Sequence, residues 1–207
     1  MHLLQGRMHT KHYGGVFIMQ KNKYKTYWNV KTLVFMALLV AMHLVLTRVL
    51  VVELGAYRIS VGSVCTILAG LWMGPAAGAA CGLAADLLGC LMKGYAVNPF
   101  ITVAAIAWGV IPALFKPMFA QKSKKGKTIG IFISIFLTAI LSSLILTTAG
   151  LVLFMSYSFW GIIWGRLVQF AIMVPIYCVL TCLLYFSPLT SMVVGNVTPA
   201  VLEKKIV

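Results

Sequence analysis

The chain reads as an all-α, polytopic membrane protein: a bundle of six transmembrane helices with both termini in the cytoplasm. Three observations predict this. Of 207 residues, 61% are hydrophobic and 10% are charged, against about 25% charged in a soluble domain. The apolar residues form long runs, not the short alternating segments of a closed β-barrel. Basic residues crowd one set of run ends, as membrane topology requires.

The elements follow in order. Residues 1–24 form a polar N-terminal segment, expected in the cytoplasm. It lacks the apolar core and small-residue cleavage site of a signal peptide. Met19 precedes a lysine-rich stretch and is an expected alternative start. The first helix runs from about Val30 to Val52, and a short connection carries Glu53, Gly55, Tyr57 and Arg58. A second helix runs from about Ser60 to Met73. Gly74-Pro75 breaks the run and opens a third helix to about Met92, since Pro is tolerated in a first helical turn. Both are short for a span of about 20 residues. After the loop Lys93–Asn98, a fourth helix covers Pro99 to Pro117. A basic loop, Gln121–Lys127, leads to a fifth helix, Thr128 to Met155, and Trp160 to Phe186 form the sixth. Residues 25–186 make one domain, and 187–207 a cytoplasmic tail.

Orientation rests on the cations. Arg7, Lys11, Lys21, Lys23, Lys25, Lys31, Lys116, Lys122, Lys124, Lys125, Lys127, Lys204 and Lys205 fall on one side if there are six spans, which is 13 of 17. That side is the cytoplasm.

Composition excludes several functions. The net charge of +14 sits at helix ends, without the basic and aromatic interleaving of a nucleic-acid surface. Lys125-Gly126-Lys127-Thr128 resembles the end of a P-loop, but Gln121 stands where that loop needs glycine. Glu53, Asp86 and Glu203 are the only acids and lie far apart, and no Ser-His-Asp grouping exists, so an enzyme is not expected. His43 alone lies within an apolar run, without a ligand neighbour, so no metal site is expected. Cys65, Cys81, Cys90, Cys178 and Cys182 lie in or beside apolar runs and read as packing residues.

Other residues point to binding. From Gly74 to Asp86, nine of thirteen residues are Gly or Ala, and Gly74, Gly78 and Gly82 recur every four. Such faces let helices approach closely in lipid. Asp86 and Arg166 are ionisable residues inside spans, which are costly without a partner or ligand. They either pair with each other or each meet a ligand group. Arg48, Arg58, Lys93 and Arg166 outnumber Glu53 and Asp86 at the outer end, which attracts an anionic solute. Tyr57, Tyr95, Phe100, Trp108, Tyr157, Phe159 and Trp160 cluster there as an interface belt or as stacking faces for a flat ring. Together they suit a planar heterocycle bearing carboxylates. A structural subunit with an Asp86–Arg166 pair, or a small enzyme acting on lipid headgroups, are the readings from other classes.

Four features resemble the substrate-binding (S) components of energy-coupling factor (ECF) vitamin transporters, most closely the folate-specific ones. They are Ala37-x-x-x-Ala41; Arg58-Ile59-Ser60-Val61-Gly62 leading to Leu68-Ala69-Gly70 and Gly74-Pro75; Ala84-Ala85-Asp86-Leu87-Leu88-Gly89; and Arg166 followed by Pro175. The resemblance covers roughly Lys25 to Phe186. One stretch departs. Where folate-type members often carry a Tyr-Phe-Pro-Gly-Phe-Thr-like run, this chain has Tyr95-Ala96-Val97-Asn98-Pro99-Phe100-Ile101-Thr102. The resemblance implies an outward pocket for folate, or for another vitamin or a deazapurine precursor, with no catalysis and no cofactor. It implies Asp86 on the pterin amino face and Arg58 and Arg166 on carboxylates or the pterin oxygen. Tyr95, Phe100 and Trp108 would line the ring, with Asn98 and Thr102 giving polar contacts. Ala37 and Ala41 would dock on a transmembrane coupling subunit that works with two ATPases in the bacterial plasma membrane.

Overall fold

The computed structural model describes residues 30–49, 51–54, 57–121 and 123–197. The N-terminal segment with Met19, the side chains of Tyr57 and Arg58, and the Glu203–Lys205 tail lie outside the described residues.

The first helix, α1, is Val30–Leu44, and its last turns, Val45–Val49, widen into π-helix. The chain then forms a small antiparallel hairpin, β1 (Val52–Leu54) and β2 (Tyr57–Ile59), with Glu53 opposite Arg58. The predicted helix to Val52 therefore ends early. Val51 and Val52 are β-branched and favour the extended backbone that the hairpin uses.

Next come α2 (Ser63–Met73) and α3 (Pro75–Lys93). Gly74 separates them at φ 95°, a conformation that side chains strain to adopt. Pro75 starts α3 in the first-turn position that needs no donor. Asn98 then caps α4 (Pro99–Phe119): its side chain accepts the Phe100 N–H. α5 (Lys124–Ala139) passes through a π segment, Ile140–Thr147, into α6 (Thr148–Met155). α7 is Phe159–Tyr185, and α8, Pro188–Val197, is a helix within the expected tail.

Five of these helical runs are long and apolar enough to cross a membrane: Val30–Val49, Pro75–Lys93, Pro99–Phe119, Lys124–Met155 and Phe159–Tyr185. Ser63–Met73 is shorter. At 11 residues it reaches about 16 Å against a hydrocarbon core of about 30 Å. Burial explains why that length is tolerated, since nine of its residues are buried. One side packs Ile67, Leu68 and Leu71 against Ile131, Ile135, Met173 and Tyr177. The other packs Cys65, Ala69 and Met73 against Met36, Leu39, Ala77 and Cys81. The long helices surround α2 and turn Leu38, Phe132, Trp164, Val168 and Leu183 outward.

The small-residue face of α3 meets α4. A β-carbon on Gly78 or Gly109 would run into the other's backbone, and one on Gly82 would meet the Ala105 carbonyl. Only glycine allows this approach, which stands in for the hydrophobic drive that lipid withholds. At the far end of α4, Lys116 Nζ donates to the Leu71 carbonyl at 2.6 Å. It thereby serves one of the last carbonyls of α2, which lack helical partners.

Candidate functional site

A cavity of about 430 Å³ opens at one end of the bundle, within the 300–1,000 Å³ range of small-molecule sites. Its wall comes from helix ends that antiparallel packing brings together. These are the C-terminal turns of α1, α3 and α6 and the N-terminal turns of α4 and α7. Asp86 and Cys90 come from α3, Tyr95 and Asn98 from the loop after it, and Arg166 and Gln169 from α7. Arg48 and Thr147 come from the two π-helical stretches, and such widened turns often mark functional places in helices.

The acidic group is held across two helices. Thr102 Oγ1 lies 2.7 Å from Asp86 Oδ2 and 3.1 Å from the Asn98 carbonyl. A hydroxyl carries one proton, and the shorter, charge-assisted bond to the carboxylate takes it. Asn98 is 5% exposed. Its Oδ1 accepts from Phe100 N at 3.1 Å and its Nδ2 donates to the Gly150 carbonyl at 2.9 Å. It therefore joins α4 to α6 as well as facing the cavity.

The cations on the same wall are Arg48 and Arg166. Arg166 is 7% exposed on α7. Gln169 follows three residues later, on the same helix face. Arg48 lays its guanidinium against Gly89: a β-carbon there would collide with Nη2 and crowd Nε at 2.7 Å. Arg48 Nε and Nη1 are buried without a hydrogen-bond partner among the described residues. Buried donors of that kind are costly until something accepts from them.

A smaller chamber of about 70 Å³ adjoins, sharing Thr147 and Gln169 with the main cavity. Trp108 and Tyr177 line it, edge to face at 5.2 Å. The Tyr177 hydroxyl donates to the Ser60 carbonyl at 3.0 Å, which ties α7 to the segment before α2.

Of the predicted binding residues, Asp86, Tyr95, Asn98 and Arg166 share the main wall. Thr102 reaches it through Asp86, and Trp108 belongs to the smaller chamber. Phe100 is on neither wall and packs on Phe154 at 5.8 Å. Ala37 and Ala41 are exposed on α1. The predicted set omits Arg48, Thr147, Tyr157 and Gln169, all on the main wall. For Gln169 a signal was available: a polar residue three positions after Arg166 on an apolar helix. Arg48 carries the signal of an outer-end cation, counted as such above but not among the binding residues. Thr147 offered none, because a widened turn is invisible in a regular period.

The family model described as the substrate-specific component of ECF transporters matches residues 31–185. Among solved structures, one titled "Crystal structure of FolT bound with folic acid" is similar at a TM-score of 0.64 and 24% sequence identity. The match covers 74% of this chain and 92% of that one. That likeness carries the fold. No curated protein matches the chain.

Proposed function

The chain belongs to the substrate-specific components of ECF transporters, and from that premise we propose that it binds folate from the outside and delivers it inward when docked on the ATP-hydrolysing ECF module. As a member of that family it is an integral membrane protein, a vitamin-binding component of a transporter and not an enzyme. Folate is the finer reading.

The observation that carries it is a cavity with both signs of charge on its wall: Asp86 supplies a carboxylate, and Arg48 and Arg166 supply cations. A pterin offers amino and ring N–H donors to a carboxylate, and the glutamate end offers carboxylates to arginine's planar fork. The similar solved structure holds folic acid. In this reading Asp86, with Thr102 fixing it, takes the pterin amino face, and Arg166 and Arg58 engage carboxylates or the pterin oxygen. Tyr95 and Trp108 line the ring and Asn98 gives a polar contact, with Phe100 packed behind them. Arg48 joins this set because its buried donors need an acceptor.

Orientation supports uptake from outside. Lys31, Lys124, Lys125 and Lys127 lie at the bundle end opposite the cavity. The positive-inside rule makes that end cytoplasmic, with six spans once the buried α2 is counted. The cavity then opens outward from a bacterial plasma membrane. Ala37 and Ala41, exposed on α1, form a smooth strip for the coupling subunit that works with two ATPases.

Titrating folic acid into the purified protein while following tryptophan fluorescence tests the reading, with Trp108 beside the cavity as a reporter. Saturable one-to-one binding at nanomolar concentration is the expected result. A folded protein that shows no quenching or binding would remove folate and leave another vitamin to be found by screening.

A further inference from the structure

The family match ends at residue 185, but the chain goes on to form α8, Pro188–Val197. The joint is well made. Ser187 Oγ donates to the Leu184 carbonyl at 2.8 Å and accepts from Leu189 N at 3.3 Å. Pro188 takes the first helical position, where no donor is needed. Thr190 is engaged on two sides: its hydroxyl donates to the Tyr185 carbonyl at 2.7 Å and accepts from Trp72 Nε1 at 3.0 Å. One turn on, Val193 is 6% exposed and packs into the cluster of Met36, Leu39, Met73 and Ala77.

These contacts lie in the half of the bundle opposite the cavity. They involve the first half of α1, the first turn of α3, the last turn of α2 and the end of α7. This is where α2, at 11 residues, stops short of the membrane's depth. The indole N–H of Trp72 needs an acceptor there, and Thr190 supplies it. Val193 closes the apolar cluster beneath the short helix. In lipid, helices gain little from hydrophobic association and depend on packing and hydrogen bonds. A plugged cluster and a bonded indole therefore hold α1 against α2 at this end.

We propose that α8 is a clasp that fixes α1 on α2, so that the α1 face bearing Ala37 and Ala41 is presented in one orientation to the membrane coupling subunit. The proposal rests on the docking role given to that face above. Val193 joins the buried cluster that also holds Met36 and Leu39, the residues on either side of Ala37 and Leu38 in sequence, and α8 touches α1, so a shift of α8 changes how the strip is turned.

The test uses the full-length chain co-expressed with the ECF module, as Thr190→Val and Val193→Asp variants. Co-purified module should fall about threefold or more for Thr190→Val, the scale of one lost hydrogen bond, and further for Val193→Asp. Affinity for folic acid should be unchanged, because the cavity is at the other end. If Val193→Asp does not fold, Thr190→Val carries the test. Wild-type co-purification by folded clasp variants, with loss by Ala37→Trp, would overturn the clasp. Retention by Ala37→Trp as well would overturn the docking role itself, and the purpose of the clasp with it.

Discussion

Thr102 on α4 holds Asp86 on α3 through a 2.7 Å bond from its hydroxyl to Oδ2. Two helices brought together by the Gly78–Gly109 contact thus place a carboxylate on the cavity wall and fix which oxygen is already engaged.

Asp86→Ala should weaken folic acid binding by about tenfold or more, and Arg166→Ala likewise, as expected for charge-assisted bonds of about 1.5–3 kcal/mol. Thr102→Val should cost less, about 2–10-fold, because it removes only the bond that orients the carboxylate and leaves the carboxylate itself in place. Fluorescence titration of variants with wild-type melting behaviour measures this. Unchanged affinity for all three would refute the assignment.

Gly89→Ala should behave as a loss of Arg48. The new β-carbon meets the guanidinium, so the side chain must leave its place. Helix propensity itself improves by up to about 1 kcal/mol, so the protein should stay folded while affinity drops about tenfold. Thermal unfolding and titration on the same sample check both halves. A variant that binds normally would show that Arg48 plays no part.

Lys116→Met should lower thermal stability without touching ligand affinity. The substitution keeps the apolar stem but strips the Leu71 carbonyl of its donor, at a cost of about 1–3 kcal/mol. Detergent-based thermal unfolding reports the loss. An unchanged midpoint would mean that another donor serves that carbonyl.

Ala37→Trp and Ala41→Trp should spare folic acid binding and abolish transport. Both residues are exposed on α1, so an indole meets no neighbour within the chain but fills the strip offered to the coupling subunit. Uptake by proteoliposomes holding the complete complex measures this. Normal uptake would move the docking surface elsewhere.

Much of the fold is legible because its signals are local. Gly74-Pro75 and Asn98-Pro99 mark helix starts, and the small-residue face of α3 announces a close partner. The hairpin Val52–Ile59 is less visible, since its β-branched residues also suit a membrane helix. The helix α8 hides in a segment that reads as tail, because its support comes from Trp72 and the α1–α3 cluster, far away in sequence. Within the site, Asp86 and Arg166 stand out because charge inside a span is rare. Arg48 shares that signal, but the face it takes is hidden, because it rides on a π-helical turn that shifts the regular helical period. Thr147 rides on another such turn and Gln169 is uncharged, so neither stands out by charge.

By itself, the sequence determined the membrane class, the order of the long apolar runs, and the intramembrane charges that any fold would have to accommodate. Hydropathy, charge and helix-breaking residues act over a few positions, so they can be read in order along the chain. Only the tertiary structure decided which helix ends converge. It placed Arg48 beside Gly89 and Thr102 on Asp86, and it turned Phe100 onto Phe154. Those outcomes depend on packing between residues distant in the chain, which no local pattern encodes.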